Sequence, residues 1–219
     1  MLTKIFVCML TLATVICLVG CGEEKIDGTP DKAVLAYAEI AMTGESANMA
    51  AAGFTENDRK EIRYNMARTF TEALNGIAPL SQSSAEKITQ IYFDKLKGEV
   101  KFQTTLKKDD AERPIVTITT TPIDQGSSAR NAAIKNEELI ALIGMVGKLK
   151  SEGASDDDLK ENADVQNLAI TALTKYIDNI HFQDEKTVDV PCNKVVGSDG
   201  KIHWAPADSD AFVDFLTGK

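Results

Sequence analysis

The sequence predicts an α+β fold, and three observations carry that prediction. In several stretches apolar residues recur with helical spacing, as at Ile62, Met66, Phe70 and Leu74, which fall every four positions on one face. In others they alternate with polar residues, as at Val100, Phe102, Thr104 and Leu106 and again at Val116, Ile118 and Thr120, the mark of a half-buried strand. The two periods come in blocks: helices, a hairpin, helices, a second hairpin and a closing helix. Blocks of this kind describe helices packed on an antiparallel sheet, not a strict β-α-β alternation.

The chain opens on Lys4, followed by an apolar or hydroxyl run from Ile5 to Val19 that ends in Leu18-Val19-Gly20-Cys21. That run has 15 residues, whereas a spanning helix needs about 20. A basic start, a short apolar core and a small residue before the cut are the layout of a secretory signal. The final four residues resemble the lipobox of bacterial lipoprotein precursors. The resemblance implies cleavage between Gly20 and Cys21, and a thioether-linked diacylglycerol with palmitate-type chains on the Cys21 sulfur. Each buried methylene contributes about 0.8 kcal/mol, and two chains give stable anchoring. The expected organisation is a signal over residues 1–20, a lipidated tether over 21–30 and one α+β domain over 31–219. The expected location is the extracytoplasmic face of a cell membrane, with membrane lipid as the first partner through Cys21.

Thr29-Pro30-Asp31 reads as a helix start, with a threonine cap, a first-turn proline and an acid at the positive end. That helix is expected to stop at Thr43-Gly44. A second begins at Thr55, capped with Asp58, and carries the Ile62 stripe to Asn75-Gly76. Ser83 and Glu86 have the spacing of a capping box for a third helix, with Ile88, Ile91, Tyr92 and Leu96 behind it. The first hairpin turns through the charged segment 107–112, and its threonines suit a sheet with one solvated face.

An apolar helix is expected from about 129 to 150, in which Gly144 and Gly147 could admit another backbone. Ser155 then starts a further helix running to Ile180, where Asp156, Asp157 and Asp158 complement the helix dipole. The second hairpin pairs Val188, Val190 and Cys192 with Ile202, His203 and Trp204 across the turn 197–200. Pro191 cannot donate to a ladder and marks an edge or a bulge. Asp208 caps the last helix, which carries Phe212, Val213, Phe215 and Leu216.

Composition narrows the function classes. There are 33 acidic and 24 basic residues, for a formal charge of −9; loss of Lys4 with the signal would make it −10. Such a surface argues against nucleic acid, whose binding rewards clustered cations, and against lying flat on anionic lipid. Of the four cysteines, Cys8 and Cys17 leave with the signal and Cys21 carries lipid. Cys192 remains alone and reads as a buried small hydrophobe rather than a reactive thiol.

Two stretches carry a family resemblance: Ile115-Val116-Thr117-Ile118 leading to Thr121-Pro122-Ile123-Asp124, and Asp199-Gly200-Lys201-Ile202-His203-Trp204 followed by a helix and Gly218. They resemble a family of uncharacterised bacterial lipoproteins, mostly of Gram-positive type. The resemblance implies an NTF2-like or cystatin-like cone, with helices packed on a curved antiparallel sheet and a helical insertion at about 129–180. It brings no catalytic residues.

The chemistry-bearing residues are sparse. The two histidines, His181 and His203, have no metal-ligand spacing to any cysteine, so neither a metal nor another cofactor is expected. There is no phosphate loop and no nucleophile elbow. A cone pocket could pair an acid base with a tyrosine donor, and the chain offers Tyr37, Tyr64, Tyr92 and Tyr176. Trp204, the single tryptophan, could anchor a ligand or close the core against Phe212 and Phe215. Candidate binding residues are therefore Trp204, Tyr92 and Tyr176. Three readings stay open: a tethered module that binds a small ligand or a protein, a structural envelope protein with a filled cone, and a small hydrolase or isomerase.

Overall fold

The computed structural model describes residues 26–74, 78–124 and 135–218, without the side chains of 66, 67, 69–71, 73 and 74. The expected signal with Gly20, the expected lipidation site Cys21, the Asn75-Gly76 stop and the first part of the expected 129–150 helix lie outside the described residues. Five strands form one sheet, β1 (Ile26–Asp27), β2 (Phe102–Lys108), β3 (Ile115–Thr120), β4 (Lys186–Val196) and β5 (Ile202–Pro206), in the order β1-β5-β4-β3-β2. The sheet curls into a half-barrel, and the architecture is α+β. It is antiparallel except at its edge, where β1 runs parallel to β5 through Ile26↔Ile202 and Asp27↔His203. That strand takes two residues out of the expected tether.

The curled sheet is filled by α1 (Pro30–Thr43). Ala33, Val34, Ala36, Ala38, Ile40, Ala41 and Met42 are all fully buried, so α1 is apolar around most of its circumference, as a helix with neighbours on both sides must be. It packs on β2, β3 and β5 and, on its other side, on α2 (Glu56–Leu74) and α3 (Gln82–Leu96). The alanines leave room for both layers. Pro30 stands at the first turn as expected, but the Thr29 side chain makes no cap bond. At the other end Gly44 sits in the left-handed region at φ +76°, and its N–H reaches Ile40 O at 2.9 Å.

The second helix starts as expected, with Asp58 Oδ2 accepting from both Thr55 N and Thr55 Oγ1 at 2.7 Å. The third starts earlier than its capping box predicts: Ser81, not Ser83, is the cap, its Oγ accepting from Ser84 N at 3.2 Å. Local sequence could not choose between two serines. The choice is made by Gln166, which holds Ser81 N at 2.9 Å from a helix far along the chain.

On β3, Val116, Ile118 and Thr120 point inward, while Thr117 and Thr119 hydrogen-bond Asp189 and Thr187 on the exposed face at 2.8 and 2.9 Å. Pro191 is neither at the sheet edge nor at a bulge. It lies in the central strand, at the joint where β4 changes partner: residues 186–191 pair with β3 and 192–196 with β5. A missing N–H is tolerated there because the ladder is changing sides. The bulge of this sheet is in β2, between Leu106 and Lys108.

Outside α3 stand α4 (Glu137–Ser151), α5 (Asp156–Glu161) and α6 (Ala163–Asp178), with α6 packed against both α3 and α4. The single helix expected after Ser155 is two. Ser155 and Asp158 form a full capping box, and the chain then breaks at Asn162, whose Oδ1 accepts from Asp164 N and Val165 N. On α4 only Leu142 and Val146 are buried, and Ile140 and Ile143 face outward. A Cβ placed on Gly144 or Gly147 meets no atom of the described residues within 4 Å, so no described backbone approaches there. The chain ends in α7 (Ser209–Leu216), capped by Asp208 and packed on α1 and β5.

Candidate functional site

With α1 inside the sheet, two clefts among the described residues lie on the helical layer. The larger, about 520 Å³, runs between α2 and α3 and is lined by Arg59, Lys60, Arg63, Tyr64, Glu86, Thr89 and Gln90. The α2 residues come from two adjacent turns, and Glu86, Thr89 and Gln90 share one face of α3. Three cations in one groove are a local reversal of the chain's acidic balance.

Two of those cations are held in place. Arg59 donates to Glu56 and, through Nη1, to Gly44 O at 3.2 Å. Arg63 donates to the same carbonyl at 3.2 Å and to Gln90 Oε1 at 3.0 Å, and its guanidinium lies 4.8 Å from the Phe93 ring centre. The two arginines staple the end of α1 to α2, with planes and donors fixed in advance. Lys60 and Tyr64 add an exposed cation and an aromatic ring, Tyr64 being 66% exposed. The groove can therefore hold an extended segment through charge and ring contact.

A second cleft of about 280 Å³ joins the start of α4 to the end of α6, lined by Lys135, Asn136, Glu137, Glu138, Lys175 and Asn179. Asn136 is buried there as the α4 cap, accepting from Leu139 N and donating to Ala172 O at 2.8 Å. Glu138 and Lys175 pair across it.

Of the binding residues singled out from sequence, Tyr92 and Tyr176 lie near each other, and Trp204 stands on a different element. Trp204 is buried on β5, in the same core as Phe212, with the Lys194 ammonium 5.9 Å from its ring. Tyr92 is buried on α3 near the half-buried Tyr176 of α6, and burial, reinforced by Tyr176, raises the Tyr92 phenol well above its ordinary range. Tyr37 packs between Phe54 and Phe212, and burial raises its phenol too. Cys192 is fully buried, and desolvation pushes its thiol up to about 12, so it is inert as expected. Among the described residues no group of three or more His, Cys, Asp or Glu is placed to hold a metal, and no helix is long and apolar enough to cross a membrane. The groove residues were missed in the sequence, although the stretch 59–64, RKEIRY, carried the signal: three cations within five positions of an acidic chain, then a tyrosine.

One buried titratable group stands apart. His203 lies 4.7 Å from the Phe54 ring, and its Nδ1 has no hydrogen-bond partner among the described residues. Burial lowers its pKa below the ordinary histidine value, against the opposing pull of Asp58, Asp199 and Asp27. As pH falls through about 6.5 the unfolded chain takes the proton first, so this stability is complete above that value and is lost as pH falls towards the lower folded one. Urea titrations between about pH 7.5 and 5.5 should show stability decreasing with acid. His203→Phe should flatten that slope, and an unchanged slope would refute the assignment. The lowered carboxylates, such as Asp199, titrate below this window.

No family model matches this chain, and no curated protein does. Among solved structures it is similar to a crystal structure of YcdA, described as a putative lipoprotein, from Bacillus subtilis strain 168, with a TM-score of 0.56 and 17% sequence identity. The match covers 85% of this chain and 55% of that one, so the chain spans about half the length of YcdA. At this identity the likeness is one of fold.

Proposed function

We propose that the chain is a lipid-anchored, extracytoplasmic interaction module that presents the α2–α3 groove to an extended segment of a partner protein. The observation that carries the groove is the filling of the sheet by α1, which moves accessible concave surface from the cone to the helical layer. The same filling disfavours the hydrolase or isomerase reading, since Tyr92 and Trp204 are core side chains and Tyr37 packs against that core. The anchor rests on Leu18–Cys21 and is supported by the description of the YcdA neighbour. A sheet curled around a helix also supports kinship with NTF2-like cones, in a variant whose cone is closed.

A structural envelope role is the second reading, and the filled interior favours it too. One experiment separates them. A photo-crosslinking residue at Lys60 is introduced into wild-type and Cys21→Ala chains in cells, with metabolic lipid labelling alongside. The expected result is lipid label and a discrete protein adduct in wild type, and an unlipidated, uncleaved precursor for Cys21→Ala. Normal maturation and labelling of Cys21→Ala would overturn the anchor. A lipidated wild type with no adduct at Lys60 would overturn the interaction module in favour of the structural role.

A further inference from the structure

The anchor and the sheet edge together fix which end of the domain meets the membrane. Ile26, Ile202 and Val196 occupy one row across β1, β5 and β4, through the pairings Ile26↔Ile202 and Val196↔Ile202. Side chains directly opposite one another in adjacent strands point to the same side of a sheet. Ile26 and Ile202 are half-buried, and Val196 is 71% exposed. Beyond the row lies the turn of the β4–β5 hairpin, where Lys201 pairs with Asp199 at 3.1 Å and with Asp27 at 3.8 Å. The tip is thus an apolar row beside a cluster of one lysine and two aspartates paired with it.

This end is rigidly joined to the point where the chain enters the fold. Gly28, at φ +77°, lies directly on the backbone of the turn at 50–52: a Cβ there would stand 2.7 Å from Ala51 O and 2.8 Å from Ala52 Cα. Thr55 Oγ1, at the start of α2, is 2.7 Å from Ser198 Oγ in the hairpin turn. Four residues lie between Cys21 and Ile26, and the five steps of chain from one to the other reach at most about 18 Å. While β1 stays paired, a lipid on Cys21 would keep Ile26, the first residue of the row, within about that distance of the bilayer.

We propose that the β4–β5 hairpin tip is a lipid-contacting surface, with Val196 entering the boundary between headgroups and acyl chains and the tip setting the orientation of the domain. This inference rests on the lipid anchor proposed above. A lone valine cannot recruit a protein from solution, but a tethered one needs no recruitment, since the contact is intramolecular once the anchor is in place. The tip is accordingly an orienting contact and not an anchor.

The test uses the full chain, processed and lipidated in cells, then reconstituted into mixed phosphatidylcholine and phosphatidylglycerol vesicles. Val196→Cys carries a fluorophore, and Lys186→Cys serves as the control at the other end of the same strand, about 33 Å away. Cys192 is buried and stays unlabelled in the folded protein. Lipids bearing a shallow nitroxide should quench the probe at 196 several-fold more than the probe at 186. A soluble chain starting at Gly22 should show quenching at neither position. Equal quenching at both positions, or none at either, while mass spectrometry shows lipid on Cys21 and the vesicles float with protein, overturns the lipid contact and leaves the anchor standing. A Cys21 without lipid overturns the anchor, and this inference with it.

Discussion

Phe93→Ala is expected to lower the unfolding free energy by about 4 kcal/mol, the range for a large buried aromatic cut to its Cβ. Phe93 is 1% exposed in the helical layer, beside Tyr92 at 6.0 Å and beneath the Arg63 guanidinium. Gly44 is glycine partly because this ring is there: a Cβ on it would lie 2.7 Å from Phe93 Cδ2. The truncation leaves a cavity and also frees Arg63, which loses the face it stacks on. Phe93→Leu separates the two effects. It keeps most of the volume and should cost about 1.5 kcal/mol, near the limit for volume-conserving swaps with a cation–π contact added. Urea denaturation of the soluble domain reads both. A Phe93→Ala loss below about 1.5 kcal/mol would mean that the site collapses freely and the ring is not part of a close-packed core.

Gln166→Leu comes next, at about 3 kcal/mol, and for a different reason. The Gln166 amide is buried and makes three hydrogen bonds to main chain: it accepts from Ser81 N at 2.9 Å and donates to Pro79 O and Leu159 O at 3.0 Å each. Leucine matches its bulk and leaves those groups facing an apolar side chain. A buried group left unpaired costs roughly 1–3 kcal/mol, and water reaching one of them reduces the total. Gln166→Glu tests the polarity of the network: it keeps the acceptor for Ser81 N and puts an oxygen against two carbonyls, so it should fall as far or further. Should Gln166→Leu prove as stable as wild type, the amide is not what joins the start of α3 to the α5–α6 corner.

The same glutamine shows why part of the fold could not be read from sequence. Thr29-Pro30 and Thr43-Gly44 located both ends of α1 because a proline and a left-handed glycine act within a few residues. The two hairpins were legible for a similar reason, since turn chemistry and period-two alternation are local. The start of α3 was not, because Ser81 and Ser83 are both capable caps and the deciding contact comes from Gln166, 85 positions further on. The break at Asn162 lacks glycine and proline and depends on a side-chain oxygen capping the next helix. Pro191 was recognised as a ladder defect, but its place in the central strand depends on where two different partners end. The filling of the sheet by α1 was hidden as well. Its alanines read as a moderately apolar helix, and nothing in that stretch tells that both sides of it are covered. The groove follows from that filling, which is why Trp204 and Tyr92 looked like binding residues and RKEIRY did not.

The direction of β1 has a mechanical consequence. In the anchored chain proposed above, a tether under tension would pull on Ile26, and β1 lies parallel to β5, joined to it at two residues. The load reaches those bonds as shear, so they must fail together and not peel one by one. Behind them the Gly28 contact with the turn at 50–52 resists the same pull. When that short strand does give way, up to four more residues join the tether, from Ile26 to the start of α1, and slacken it by about 13 Å. With the proposed anchor in place, the edge strand would be a fuse in series with it, able to lengthen the leash before the sheet behind it is strained.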